Sequence, residues 1–192
     1  MKRLIINIVK ILLLLTGFLY ALWVFMPYRE AGKLAMSIAH SQLEKRGMRL
    51  AYSDVTGEED GFTVNNLALN GAVNLSFSSI TIRPHILSSI LSLGLVSNIS
   101  FRGLNIQVGQ VMNFGDGGVL LTAGLNGILL EQLRTNGDFA LNGYLTIDIA
   151  AMKIGKAEAR LNVPEEFEKN LEMIKNFLPL EKDGERWYLR RK

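Results

Sequence analysis

The sequence predicts an α+β fold. An N-terminal transmembrane helix leads into a mainly antiparallel, curved β-sheet domain with a juxtamembrane helix, a short plug helix and a C-terminal amphipathic helix. Three observations predict it. Residues 4–26 form an almost unbroken apolar run. Several later segments alternate apolar and polar residues with a period of two, as strands with one dry and one wet face do. Around them, residues 28–46 and 164–178 repeat their apolar residues at the helical period.

The apolar run comes first. A helix rising about 1.5 Å per residue crosses a hydrocarbon core of about 30 Å with about 20 residues. Lys10, the one charge in the run, lies near its start, where a long side chain can snorkel to the headgroups. Tyr20, Trp23 and Tyr28 gather at the far end like an interfacial aromatic belt. Lys2, Arg3 and Lys10 flank one side only, so the positive-inside rule places the N-terminus in the cytoplasm. A cleaved signal peptide has a core of about 7–15 residues and a small-x-small cut site. Residues 21–27 read ALWVFMP and offer none, and the absence of Cys excludes lipoprotein processing. The expectation is a single-pass protein of the bacterial inner membrane. Residues 1–27 would be its cytoplasmic start and anchor, and residues 28–192 one periplasmic, β-rich domain.

A chain of 192 residues leaves, after such an anchor, one domain of ordinary size. The pI of about 9.2 suggests nucleic-acid binding, but its origin is local. Removing Lys2, Arg3 and Lys10 from the 21 basic residues leaves 18 against 18 acidic ones. A neutral domain lacks the electrostatic footprint for phosphate backbones, so no nucleic-acid partner is expected. Zero Cys excludes disulfides and thiolate metal sites and favours a bacterial envelope source. Asn74-Leu75-Ser76 and Asn98-Ile99-Ser100 match a glycosylation acceptor, yet both fall inside strand-like runs and read as chance.

In order along the chain, the spacing predicts a helix over residues 28–46. Ala31, Leu34, Ala35, Ile38, Ala39 and Leu43 form its apolar stripe, and Gly47 its stop. Residues 56–61 are a turn between two short strands, the second starting at Phe62. In residues 72–82 the apolar phase slips from Val73, Leu75 and Phe77 to Ile80 and Ile82, which implies a β-bulge. Pro84 ends that strand, and residues 85–93 form a plug helix closed by Gly94. Residues 97–111 are a strand with a bulge at Gly103. Residues 139–149 and 156–163 are the cleanest strands. Phe139, Leu141, Leu145, Ile147 and Ile149 share a face in the first, and Ala157, Ala159, Leu161 and Val163 in the second. Pro164 opens a helix with the stripe Phe167, Leu171, Ile174 and Leu178, and residues 187–189 make a last strand. The plug and this C-terminal helix are the expected covers of the apolar sheet face. Leu-Asn-Gly recurs at Leu69, Leu125 and Leu141, a weak echo of a repeated strand-turn unit.

Chemistry is sparse. His40 and His85 have no second ligand nearby in sequence and read as solvated or capping residues. Glu58-Glu59-Asp60 lacks the alternating oxygen ligands of a calcium loop and reads as a solvated hairpin tip. Residues 113–118, NFGDGG, lack the Lys and Ser/Thr of a phosphate loop and read as a flexible turn. No catalytic, cofactor-binding or metal residue is nominated, and the chain does not read as an enzyme.

Residues 75–91, LSFSSITIRPHILSSIL, resemble the type II secretion system protein N family and its AsmA-like relatives. There a strand ends in a proline or polar residue and runs into a Ser-Leu-Leu-type helix. Residues 99–109 and the Leu-Asn-Gly strands are similar to the next elements of that family. The resemblance implies a non-catalytic, membrane-anchored periplasmic component of a secretion apparatus, with the inner membrane and other envelope or secretion proteins as partners. The rival it implies is an AsmA-like lipid-binding or lipid-transfer protein whose curved sheet takes acyl chains.

Overall fold

A computed structural model of the chain describes residues 10, 13–14, 17–18, 21, 25–71, 73–108, 110–124, 127–148, 153–164, 167, 180–184 and 186–191. Helix α1 covers Tyr28–Glu44, and helix α2 covers Ile86–Ser92. The strands are β1 Arg49–Ala51, β2 Asp54–Gly57, β3 Phe62–Asn70, β4 Asn74–Pro84, β5 Leu95–Val108 and β6 Gln110–Gly124. They continue with β7 Gly127–Thr135, β8 Ala140–Asp148, β9 Lys153–Asn162, β10 Leu180–Asp183 and β11 Arg186–Arg191. All join one sheet in the order β1-β3-β4-β5-β6-β7-β8-β9-β11-β10, with β2 also on β3. Every pairing is antiparallel. From β3 to β9 each strand pairs with its sequence neighbours, the arrangement that short connections favour.

The phase slip in β4 has an origin that a single strand does not reveal. β3 turns Phe62 and Val64, then Leu67 and Leu69, toward one core, so its phase also changes, at Asn66 with φ 50°. Register places Asn66 opposite Ser78, and Ser78 opposite Gly103, whose φ is 61°. Three neighbouring strands thus change face on one rung, and their pairing keeps a single register throughout. The bulge expected within β4 is therefore corrected, because no residue of β4 is inserted. The one expected at Gly103 is present against β6, where the register shifts between Phe101 and Leu104. Glycine is needed there. Its backbone is left-handed, and a Cβ would collide with the Ser78 hydroxyl.

α1 packs on the β1–β3 end. Tyr28 and Met36 are buried with Leu50, Val55, Phe62 and Val64, and Ala39 and Leu43 pack beside them. The expected stripe is partly corrected, since Leu34 is 63% and Ile38 55% exposed. Gly32 explains the rotation. A Cβ there would stand 2.7 Å from the Phe62 ring and 2.9 Å from Val55 Cγ1, so the helix approaches through its glycine. A second core gathers Phe114, Phe139, Leu161 and Trp187, with the Phe167 ring edge-on to Phe139 at 5.0 Å. Ala157, Ala159 and Leu189 form a third.

α2 stands where the plug was expected, tied to β5 by the Ser89 hydroxyl, which donates to His85 O and accepts from Val96 N–H. It buries none of its residues, and Leu87 and Leu91 are 78% and 85% exposed, so it does not cover the sheet. Residues 113–118, expected as a flexible turn, lie inside β6. The Leu-Asn-Gly echo is not a structural repeat: Asn70 ends β3 before a hairpin, whereas Asn142 sits inside β8. The C-terminal helix expected over residues 164–178 lies outside the described residues except at Pro164 and Phe167.

The expected transmembrane helix is also corrected. Among the described residues no helix is long and apolar enough to cross a membrane. A span needs about 20 consecutive helical residues. The single-pass inner-membrane placement, with a cytoplasmic N-terminus and a periplasmic C-terminal domain, rested on that span and is withdrawn with it.

Candidate functional site

Opposite the apolar face, the polar alternates of successive strands fall into line. Thr56 pairs with Thr63, Thr63 with Thr81, and Thr81 with Ser100. Ser100 pairs with Gly118, Gly118 with Arg134, Arg134 with Asn142, and Asn142 with Arg160. Arg160 faces Tyr188, which faces Glu181 at the far edge. One rung of hydroxyls, amides and guanidiniums therefore runs from edge to edge. Antiparallel partners share a face, so single-strand alternation adds up to a surface.

Two adjoining grooves lie along this rung. One, of about 500 Å³, is lined by Glu58, Thr63, Thr81, Arg83, Ser100 and Arg102. The other, of about 600 Å³, is lined by Arg134, Asn136, Asn142, Arg160 and Asn162. Asp116 and Gly117 line both, so the two are continuous.

Charge is distributed unevenly along them. Arg83 Nη2 donates to Glu58 Oε2 at 2.8 Å, and its Nε donates to Asp60 Oδ1 at 3.0 Å. Asp60 first, then Glu58, holds the Arg83 pKa above its ordinary value. The Thr63 hydroxyl also bonds Glu58 and lies 2.7 Å from that of Thr81. Glu58 and Asp60 are therefore counterions of Arg83 and not merely a solvated tip. Arg102, Arg134 and Arg160 are exposed and make no ion pair among the described residues. The Asp116 carboxylate accepts the Gly103 N–H at 2.9 Å, and the Asp116 N–H donates to Asn136 Oδ1 at 2.8 Å. The glycine-rich stretch thus fastens β5, β6 and the β7–β8 turn together.

Neither histidine lines the two grooves, and the two lie on different elements. His40 Nδ1 lies 3.1 Å from Leu50 O, joining α1 to β1, and its Nε2 is 4.0 Å from Glu44. His85 precedes α2 without a side-chain cap bond. Among the described residues no three His, Asp or Glu side chains could hold a metal ion. The arginines of the rung were not singled out by sequence. The alternation of Lys156, Glu158 and Arg160 marks a wet face, but only register across several strands shows what that face assembles.

A family model described as type II secretion system protein GspN-like, Synergistales, matches residues 6–191. No curated protein and no solved structure matches the chain.

Proposed function

The chain belongs to the GspN-like family of type II secretion system proteins, and on that premise we propose that it is a non-catalytic part of the apparatus, acting by contact with other proteins of it. The match over nearly the whole chain carries this reading. A broad sheet with a polar face supports it, because paired strands hold many side chains at fixed spacings. Affinity purification of the tagged full chain from cells with an active type II apparatus tests it. Other secretion proteins should be enriched over a mock purification; their absence after in-cell crosslinking would sink the contact reading.

One observation favours a second reading, the binding of lipid acyl chains. Ile99, Leu121, Leu130, Leu145 and Ile147 are only half-buried on the apolar side of the sheet, and α2 leaves Leu87 and Leu91 exposed. Large apolar patches mark a ligand or partner site. Native mass spectrometry of the purified chain decides between them: a retained phospholipid at stoichiometric level favours lipid handling.

A further inference from the structure

We infer that the polar groove from β5 to β9 binds an acidic, extended polypeptide segment, anchored by Arg102, Arg134 and Arg160. This rests on the contact reading above and names the chemistry of the contact. Exposed arginines are commonly just solvated, but these three share one continuous groove and, among the described residues, lack carboxylate partners, unlike Arg83 beside them. The domain around them is balanced, 18 basic against 18 acidic residues from position 28 onward, so the cluster is a local excess. Guanidinium is the side chain best suited to bidentate carboxylate recognition.

Spacing selects an extended ligand. The three arginines sit on β5, β7 and β9, alternate strands of the sheet. Neighbouring strands lie about 4.8 Å apart, so Arg134 and Arg160, on one rung, are about 10 Å apart, and Arg102, two residues off that rung, is about 12 Å from Arg134. A polyproline II segment advances about 3.1 Å per residue and returns to the same face every third residue, so acidic residues three to four apart meet each anchor in turn. A lone carboxylate or phosphate would meet one anchor and leave two. Between Arg102 and Arg134 the floor is Gly117 and Gly118, bare backbone that leaves room for a chain to cross, beside Asp116, whose carboxylate is held by the Gly103 N–H. Asn136, Asn142 and Asn162 line the same passage and offer amides to the carbonyls of a bound segment.

Fluorescence anisotropy of the full chain with a labelled deca-glutamate peptide tests this, with deca-lysine in parallel. Saturable binding of deca-glutamate alone is expected, weakening as salt rises. Arg134→Glu with Arg160→Glu should weaken it at least tenfold, and Lys45→Glu, on the far end of α1, should leave it unchanged. Gly118→Leu should also weaken it without altering charge. A Cβ there would stand 3.2 Å from Ile99 O, a tight contact that a shift of a few tenths of an ångström relieves, and circular dichroism checks that this variant keeps the fold before it decides the matter in place of the double variant. No binding by the wild type, undiminished binding by Gly118→Leu or by a folded double variant, or displacement by inorganic phosphate at equal charge would overturn the inference. If the wild type captures secretion proteins and the double variant captures them equally, the acidic-segment inference falls and the contact reading stands. If the wild type captures none, the contact reading itself falls.

Discussion

Replacing Gly32 with alanine sets two opposed effects against each other. In an open helix interior the change is favourable by about 1 kcal/mol. Here the new methyl would lie 2.7 Å from Phe62 Cγ and Cδ2 and 2.9 Å from Val55 Cγ1. Phe62 is 8%, Val55 4% and neighbouring Val64 1% exposed, so the ring has nowhere to swing. Overpacking a tight core costs about 1–3 kcal/mol, and this contact belongs in the upper half of that range. The net expectation is a loss of about 1–2 kcal/mol, or about 2–8 °C in Tm for a chain of this size. Thermal and urea unfolding followed by circular dichroism read it directly. In a Phe62→Ala background the ring is gone and only the Val55 contact at 2.9 Å remains, so the same Gly32→Ala change should cost clearly less than in the wild type. A rise in Tm in the wild type, or the same effect in both backgrounds, would refute the idea that α1 docks through Gly32.

Leu145→Asp should cost several kcal/mol, because Leu145 faces buried Ala157 on the apolar side. Thr146→Asp should cost only about 1 kcal/mol, for the lost bond from its hydroxyl to Lys156 O at 3.0 Å; equal damage in urea melts would contradict the strand facing. Gly143→Ala should cost at least about 2 kcal/mol. Its φ is 157°, and a Cβ would stand 2.7 Å from that of buried Ala159, so an unchanged Tm would show that β8 and β9 are not so closely paired. Arg83→Met should cost less than about 1 kcal/mol, shrinking in high salt, since the Arg83 side chain is 43% exposed. A larger, salt-independent loss would mean that the Glu58–Arg83–Asp60 cluster has a buried structural role.

Local pattern carried much of this fold. The alternation in residues 139–149 and 156–163 names β8 and β9 and their apolar residues, because a half-buried strand needs nothing beyond its own period. The Pro-headed helix after β4 and the family resemblance of residues 75–91 were legible for the same reason. Helix α1 was legible but its stripe was not. Leu34 and Ile38 outweigh glycine on any hydropathy scale, yet contact distance made Gly32 the docking position. The slip between Phe77 and Ile80 was visible as well. Its meaning lay in Asn66 and Gly103, residues of other strands that change face on the same rung. β7 escaped notice because the apolar run Ile128-Leu129-Leu130 does not alternate, and Gln132 bulges with φ 52°. The arginine groove needed register across most of the sheet, which no single-strand pattern contains.

Loss of the chain in its own cells reaches the central claim most directly. Proteins released through the type II pathway would be quantified by mass spectrometry of the culture medium, with and without the gene. Release should fall on deletion and return with the wild-type chain. Release that is unchanged on deletion would contradict a role in secretion, whatever the chain is found to bind.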